Sequence, residues 1–161
     1  MRRSEILPLT FVLAGGLVAG TLDITYACVF WALKRGVPAQ RILQSVAAGL
    51  LGESSFTGGR ATAVLGLGLH YFIALSMAVG YYVVARRWPL LNQRPVRYGA
   101  AYGLLLYGIM NYVVVPLSAA GRGSQDPLWI GLSIAVHMFL IGVPIALFVR
   151  RAAGFPHTAS T

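Results

Sequence analysis

The sequence contains little charge, few acidic residues and almost no cysteine. Only 11% of its 161 residues are charged and 4 are acidic, whereas about 25% of the residues in an average soluble domain carry charge. So few ionisable side chains do not suffice to cover a water-soluble fold. Cys28 is the single cysteine, which excludes an intramolecular disulfide and a cysteine-based metal cluster.

Motifs of catalysis and of nucleic-acid binding are also missing. The sequence has no GxSxG nucleophile elbow, no GxxxxGK phosphate loop and no HExxH metal motif. These absences argue against an enzyme and against a metal site. The 13 basic residues give a net charge of +9. They lie at the ends of apolar segments and are not interleaved with aromatic residues, so we expect no nucleic-acid partner.

Long apolar segments dominate what is present. Four of them, at residues 7–33, 61–85, 98–120 and 128–149, are long enough to cross a hydrocarbon core of about 30 Å at about 1.5 Å per residue. The first exceeds the roughly 7 to 15 apolar residues of a signal peptide and has Pro8 in its predicted first turn. The pattern predicts a single domain, an all-α integral membrane protein that forms an antiparallel four-helix bundle in a lipid bilayer.

A shorter segment at residues 38–51 has the pattern of an amphipathic helix. Its apolar residues face away from Arg41, Gln44 and Ser45. They are Ile42, Leu43, Val46, Ala47, Leu50 and Leu51. About 14 residues are too few to cross a bilayer, so we predict an interfacial or re-entrant helix between the first two spans. Residues 52–60 have the composition of a loop, and residues 152–161 that of a disordered tail.

The distribution of lysine and arginine predicts the orientation. If the N-terminus is inside, 8 basic residues lie on the inner side and 5 on the outer side, so both termini are predicted to be cytoplasmic. The inner set is Arg2, Arg3, Arg86, Arg87, Arg94, Arg97, Arg150 and Arg151, and the outer set is Lys34, Arg35, Arg41, Arg60 and Arg122.

Each apolar segment contains one strongly polar residue near its middle. These residues are Asp23, His70, Asn111 and His137. At about 1.5 Å per residue, each lies roughly 14 to 20 Å from one end of its segment. Helices that cross in alternating directions would therefore bring all four to one layer. We predict a buried and protonatable polar site, in which Asp23 pairs with a histidine because an isolated charge in a bilayer is costly.

The neighbours of these residues predict which helix faces point inward. Asp23 shares a face with Gly16 and Gly20, and His70 shares one with Gly66. Small residues of this kind let two helices approach closely, and Gly99 and Gly103 have the same spacing, which also suits a dimer. Supporting polar or special residues are Tyr107 one turn before Asn111, Ser133 one turn before His137, and Pro144, which frees the Leu140 carbonyl as an acceptor near His137.

Several interpretations of the polar set stay open. The side chains can simply hold the helices together, or they can handle protons, ions or a small solute. His70 and His137 on separate helices could also be axial ligands of a haem b. A metal site is not expected, because the three ionisable residues come from three helices without local ligand spacing. The glycine faces could instead serve a homo-oligomer, or an accessory subunit of a larger membrane complex.

Four stretches carry a resemblance to known proteins. They are GGLVAGTLD, LHYFIALSMAVGYYVVARRWP, MNYVVVPLSA and VHMFLIGVPIALFVRR, one in each apolar segment. Over residues 15–151 the chain resembles small uncharacterised four-helix inner-membrane proteins of proteobacteria and, more distantly, the YagU-like family. The resemblance implies a bacterial inner membrane and histidines at the positions of His70 and His137. It also implies a non-acidic residue where Asp23 stands, and it supplies no activity.

Overall fold

A computed structural model describes residues 3–121 and 123–154, with side chains from residue 8 onward. Within these ranges every regular element is helical and no strand is present. The helices are α1 (Arg3–Arg35), α2 (Ala39–Leu51), α3 (Gly59–Arg87), α4 (Leu90–Gln93), α5 (Pro95–Ile109), α6 (Val115–Leu117), α7 (Pro127–Val136) and α8 (Val143–Ala152). A 3₁₀ turn covers Gly52–Phe56, and π-helical turns cover Met110–Val114 and His137–Gly142.

Four stretches of helix are long and apolar enough to cross a membrane. They are Pro8–Arg35, Gly59–Arg87, Pro95–Leu117 and Pro127–Ala152, here called spans 1 to 4. Large apolar side chains such as Leu33, Val64 and Phe72 are mostly exposed on them, which suits contact with lipid. The predicted all-helical fold with four potential membrane spans is confirmed.

The ends of the helices differ from the predicted ends in several places. Span 1 continues to Arg35, where Gly36 adopts a φ of +65° and closes the helix with an N–H bond to the Ala32 carbonyl. Pro8 lies inside α1 and not in its first turn. Span 3 ends at Leu117, three residues early, because Ser118 has an extended backbone. Span 4 runs on to Ala152, and residues 155–161 of the predicted tail lie outside the described residues.

Two π-helical turns occur directly before prolines. In span 4 the Val143 N–H donates to the Met138 carbonyl, five residues earlier, and Pro144 follows. Because proline lacks an N–H and its ring clashes with the carbonyl four residues back, a widened turn relieves the conflict. Span 3 repeats this arrangement: the Val115 N–H donates to the Met110 carbonyl, and Pro116 follows.

Glycines bring the spans into backbone contact. A Cβ added at Gly16 would lie 3.1 Å from the Cβ of Ala78, and one added at Gly20 would lie 3.0 Å from the Cβ of Ala74. These contacts join span 1 to span 2. Spans 3 and 4 are closer still, since a Cβ at Gly99 would lie 2.7 Å from the Gly142 carbonyl oxygen.

Gly103 has the most restricted environment in span 3. A Cβ there would overlap the carbonyl oxygen of His137 in the neighbouring span. Gly99 and Gly103 are both buried against span 4 of the same chain. The expectation of a dimer through these two residues is therefore wrong, since a partner molecule cannot reach them.

The packed core occupies one half of the helices. Its fully buried large side chains include Val12, Tyr81, Ile145 and Val149. We call this region the packed half. The other half, which contains the later residues of span 1 and the first residues of spans 2 and 4, surrounds a cavity and receives α2.

The buried face of α2 is only partly the predicted apolar face. Ala47 is fully buried as predicted, whereas Leu50 and Leu51 are 63% and 42% exposed. Gln44, from the predicted polar face, is only 3% exposed, and its side-chain amide donates to the Gly59 carbonyl oxygen at 3.0 Å. Close approach explains the burial of Gln44, because a Cβ at Gly66 would overlap the Leu43 carbonyl of α2. Where α2 crosses α3 so closely, only short or hydrogen-bonded side chains fit between the two helices.

Two alanine substitutions on the same helix test the backbone contact between spans 3 and 4. We expect Gly103→Ala to lower the free energy of unfolding by about 2 kcal/mol or more, because the new methyl group overlaps backbone that cannot rotate away. Gly108→Ala is the matched control, since its Cβ would meet nothing within 4 Å. It should be neutral or stabilise by up to about 1 kcal/mol. Unfolding in detergent measures both, and equal effects would contradict the contact.

Candidate functional site

A cavity of 260 Å³ lies between the four spans in the half of the molecule opposite the packed half. One polar residue from each span lines it: Asp23, His70, Asn111 and His137. The rest of the lining is largely apolar and comes from the same spans and from α2. These residues are Ala19, Gly20, Ile24, Ala27, Trp31, Ile42, Ser45, Val46, Ile73, Ala74, Met77, Met110, Val115, Trp129, Ser133 and Ile141.

His70 links span 2 to span 1. Its Nε2 lies 2.8 Å from the Gly20 carbonyl oxygen. A carbonyl can only accept, so Nε2 carries the proton and donates it. In the neutral ring, Nδ1 is then left as an acceptor. Gly20 makes this bond accessible, because the absence of a side chain lets α3 approach the α1 backbone.

His137 lies at the first position of the π-helical turn in span 4. Its Nδ1 donates to the Ser133 carbonyl oxygen at 2.9 Å, one turn earlier in the same helix. The predicted acceptor, the carbonyl of Leu140, is not its partner. The imidazole packs edge-on against the ring of Tyr107, with 5.4 Å between centroids. Nε2 of the neutral ring therefore remains an acceptor.

Asn111 belongs to the π-helical turn of span 3. Its side-chain Nδ2 donates to the Tyr107 carbonyl oxygen at 3.0 Å. The side-chain amide oxygen takes no part in this bond. Because span 3 ends at Leu117, Asn111 is only about 9 Å from the end of the helix. A Cβ at Gly123 in the following loop would lie 3.9 Å from its Oδ1. Asn111 is thus nearer the end of the cavity than the predicted middle layer.

Asp23 is the exception among the four polar residues. Among the residues that the structure describes, no group donates a hydrogen bond to its carboxylate or forms an ion pair with it within 4.0 Å. His70 and His137 line the same cavity as Asp23. The predicted direct pair of Asp23 with a histidine is therefore replaced by a carboxyl group that shares the cavity with two imidazoles.

The hydrogen bonds leave the cavity rich in acceptors. Both imidazoles and the Asn111 amide each give a hydrogen to a backbone carbonyl. The Ser45 hydroxyl of α2 does the same, donating to the Ile42 carbonyl at 2.7 Å. What remains toward a ligand are mainly acceptors, namely carboxylate, hydroxyl and amide oxygens and unprotonated ring nitrogens. The lining also carries the second N–H of Asn111 and the indole N–H groups of Trp31 and Trp129. Such a set is suited to a group that donates hydrogens or carries positive charge.

An aromatic cluster covers the end of the cavity, and sequence reasoning missed it. Tyr26 stacks on Trp129 with 5.1 Å between centroids and a 9° tilt, and Phe30 and Trp31 also contact Trp129. Tyr26 further shares a hydrogen bond of 3.2 Å with the Ser133 hydroxyl. The available signal was the occurrence of aromatic residues at the same ends of spans 1 and 4, where aromatic side chains favour a membrane interface.

A salt bridge joins the same ends of spans 1 and 4. Lys34 donates to one carboxylate oxygen of Asp126, while the other oxygen accepts from the backbone N–H groups of Leu128 and Trp129. Asp126 is thus the N-cap of α7. The hydrogen bond from Lys34 lowers the pKa of Asp126 below its ordinary value of 3.8, and the Trp129 N–H adds to the effect.

Within residues 3–121 and 123–154, no three His, Cys, Asp or Glu side chains come together as metal ligands. One nitrogen of each histidine is bonded to a backbone carbonyl. The other nitrogen of each neutral ring remains available as an acceptor or as a ligand.

Four apolar helices around a polar cavity indicate a multi-pass helical membrane protein. Comparisons with protein-family models, curated proteins and solved structures gave no match.

Two substitutions at Asp126 separate its charge from its capping role. Asp126→Asn keeps an N-cap acceptor but removes the ion pair, so we expect a melting temperature a few degrees lower at pH 7. The melting temperature of the Asp126→Ala variant should be lower still, because this substitution also removes the cap.

The pH dependence checks the ion pair independently. A carboxylate with a lowered pKa stabilises the fold above its ordinary value of 3.8, and this stabilisation is lost as the pH falls through the lowered value. The difference between wild type and Asp126→Asn should thus shrink in acid. A difference that stays constant down to pH 3 would rule out the ion pair as its source.

Proposed function

We propose that this chain is an inner-membrane protein whose cavity handles protons, small cations or a small polar solute. The observation that carries the proposal is Asp23, whose carboxyl group lines the same largely apolar cavity as two imidazoles and accepts no hydrogen bond within the described part of the chain. Ionisable groups within membrane spans are costly and usually serve a function.

Asp23 also distinguishes this proposal from a purely structural role. His70 binds the backbone of span 1, and Tyr102 of span 3 binds the Met77 carbonyl of span 2 at 2.8 Å. Such bonds hold helices together, at about 0.6 kcal/mol each. Asp23 makes no bond of this kind, so holding helices together does not explain a carboxylate at this position.

The proposed topology is an antiparallel bundle with both termini in the cytoplasm. Contacts of Gly16 with Ala78 and of Gly20 with Ala74 support opposite directions for spans 1 and 2. Arginines concentrate at the ends of the helices in the packed half: Arg86, Arg87, Arg94, Arg97, Arg150 and Arg151. They support a cytoplasmic side there. On this assignment α2, the aromatic cluster and the Lys34–Asp126 ion pair lie at the outer surface.

Protonation provides the proposed mechanism. Imidazole is the side chain whose charge ordinarily changes near neutral pH. A proton on His70 or His137 converts an acceptor nitrogen into a donor and adds positive charge opposite Asp23. The attraction between the two sides of the cavity then rises, which couples proton uptake to the packing of spans 1, 2 and 4.

Nitrogen NMR of labelled histidine tests this coupling in nanodiscs. We expect the resonances that report imidazole protonation to respond to Asp23→Asn, because a nearby carboxylate favours the protonated ring. Variants His70→Gln and His137→Gln assign the resonances.

Glu53→Gln is the matched control for removal of a carboxylate. Glu53 is exposed in the 3₁₀ turn outside the cavity, so its loss should leave the titration unchanged. If neither imidazole changes charge over the pH range in which the protein stays folded, and Asp23→Asn has no effect, the side chains are only structural and the proposal is rejected.

A further inference from the structure

We propose that the ligand of this cavity is a small primary ammonium ion, either ammonium itself or a short alkylammonium. The inference rests on the proposed function and specifies its ligand. It follows from the charge of the lining, from the hydrogen-bonding capacity that is left, and from the size and polarity of the space.

The charge of the lining selects a cation. Among the residues that the structure describes, Asp23 is the only acidic side chain that lines the cavity, and no lysine or arginine lines it. With Asp23 ionised and both imidazoles neutral, this lining carries one uncompensated negative charge. Burying that charge is unfavourable unless a cation pairs with it. A bound monovalent cation would satisfy this requirement with one charge-assisted hydrogen bond.

The remaining hydrogen-bonding capacity selects a cation with N–H groups. His70, His137 and Ser45 each use a donor on a backbone carbonyl, so each retains an acceptor. A primary ammonium has three N–H donors, one for Asp23 and two for these acceptors. A quaternary ammonium has the same charge but no hydrogen to donate, and therefore cannot satisfy them.

Inorganic cations match the site less well. Mg²⁺ and Ca²⁺ require about six to eight oxygen ligands, whereas this cavity offers one carboxylate and scattered oxygen and imidazole nitrogen acceptors. Within the described residues there is no cluster of three His, Cys, Asp or Glu that could hold a metal ion. An N–H donor can bind an imidazole nitrogen as well as an oxygen, so an ammonium ion fits this mixed set of oxygen and nitrogen acceptors.

The space accommodates a short apolar chain on the ammonium group. The cavity volume is 260 Å³, just below the roughly 300 to 1,000 Å³ of ordinary ligand sites. Met77 and Met110 offer flexible apolar contacts. The rings of Trp31 and Trp129 also line the cavity and can attract a cation through their faces.

Tryptophan fluorescence of the full-length protein in nanodiscs at pH 7 measures binding, because Trp31 and Trp129 line the cavity. The probe is n-butylammonium. Tetramethylammonium tests the need for N–H groups, 1-butanol tests the need for charge, and sodium tests an inorganic cation. We expect saturable binding of n-butylammonium and binding at least about tenfold weaker for the other three.

Variants locate the binding. Asp23→Asn should weaken n-butylammonium binding at least about tenfold, while Glu53→Gln should leave it unchanged. Should Asp23→Asn not fold, nitrogen NMR of the wild type replaces it, because a bound ammonium should shift the resonances of His70 and His137.

The outcomes separate this inference from the proposed function. Four results would each overturn the ammonium assignment. They are the absence of saturable binding, equal binding of sodium or tetramethylammonium, retention of binding in Asp23→Asn, and unshifted imidazole resonances. The imidazole titration requires no amine. A titration coupled to Asp23 without ammonium binding would therefore reject the ligand class alone, whereas loss of the coupling would reject the proposed function.

Discussion

The backbone contact between spans 3 and 4 is the constraint on which the rest of the structure depends. Gly99 and Gly103 bring the helix backbones so close that any side chain at Gly103 overlaps the His137 carbonyl. This contact therefore fixes the distance between spans 3 and 4 beside the cavity. Gly16 and Gly20 of span 1 also pack closely against span 2, but there the nearest atoms are mostly side-chain atoms. Because the contact between spans 3 and 4 comes from backbone and not from flexible side chains, the position of His137 in the cavity follows from it.

The cavity combines two physical conditions. Both histidines donate a hydrogen bond to a backbone carbonyl, and the carboxyl group of Asp23 has no direct partner among the described residues. An apolar surrounding strengthens each remaining electrostatic interaction and makes an unpaired charge costly. In the proposed function, a proton or a small cation offsets that cost.

Sequence reasoning succeeded where hydrophobicity decides and failed where close packing decides. The four apolar segments are visible because a bilayer demands about twenty apolar residues per helix. The prediction for α2 missed the burial of Gln44, because periodicity assumes that only apolar residues seek the interior. At Gly66 the contact leaves room for the hydrogen-bonded Gln44, while Leu50 stays exposed. The prediction of a dimer through Gly103 was wrong for a related reason, since the spacing of small residues does not indicate which helix packs against them.

The sequence by itself determined that the chain is helical, that four of its segments can cross a membrane, and that each carries one polar residue. These properties depend on local composition and length, which the order of residues contains directly. Only the tertiary structure decided that the four polar residues line one cavity, which ring nitrogens are protonated, and that Asp23 shares the cavity with both imidazoles without bonding either. Those outcomes depend on distances between helices, and backbone contacts between residues far apart in sequence set those distances.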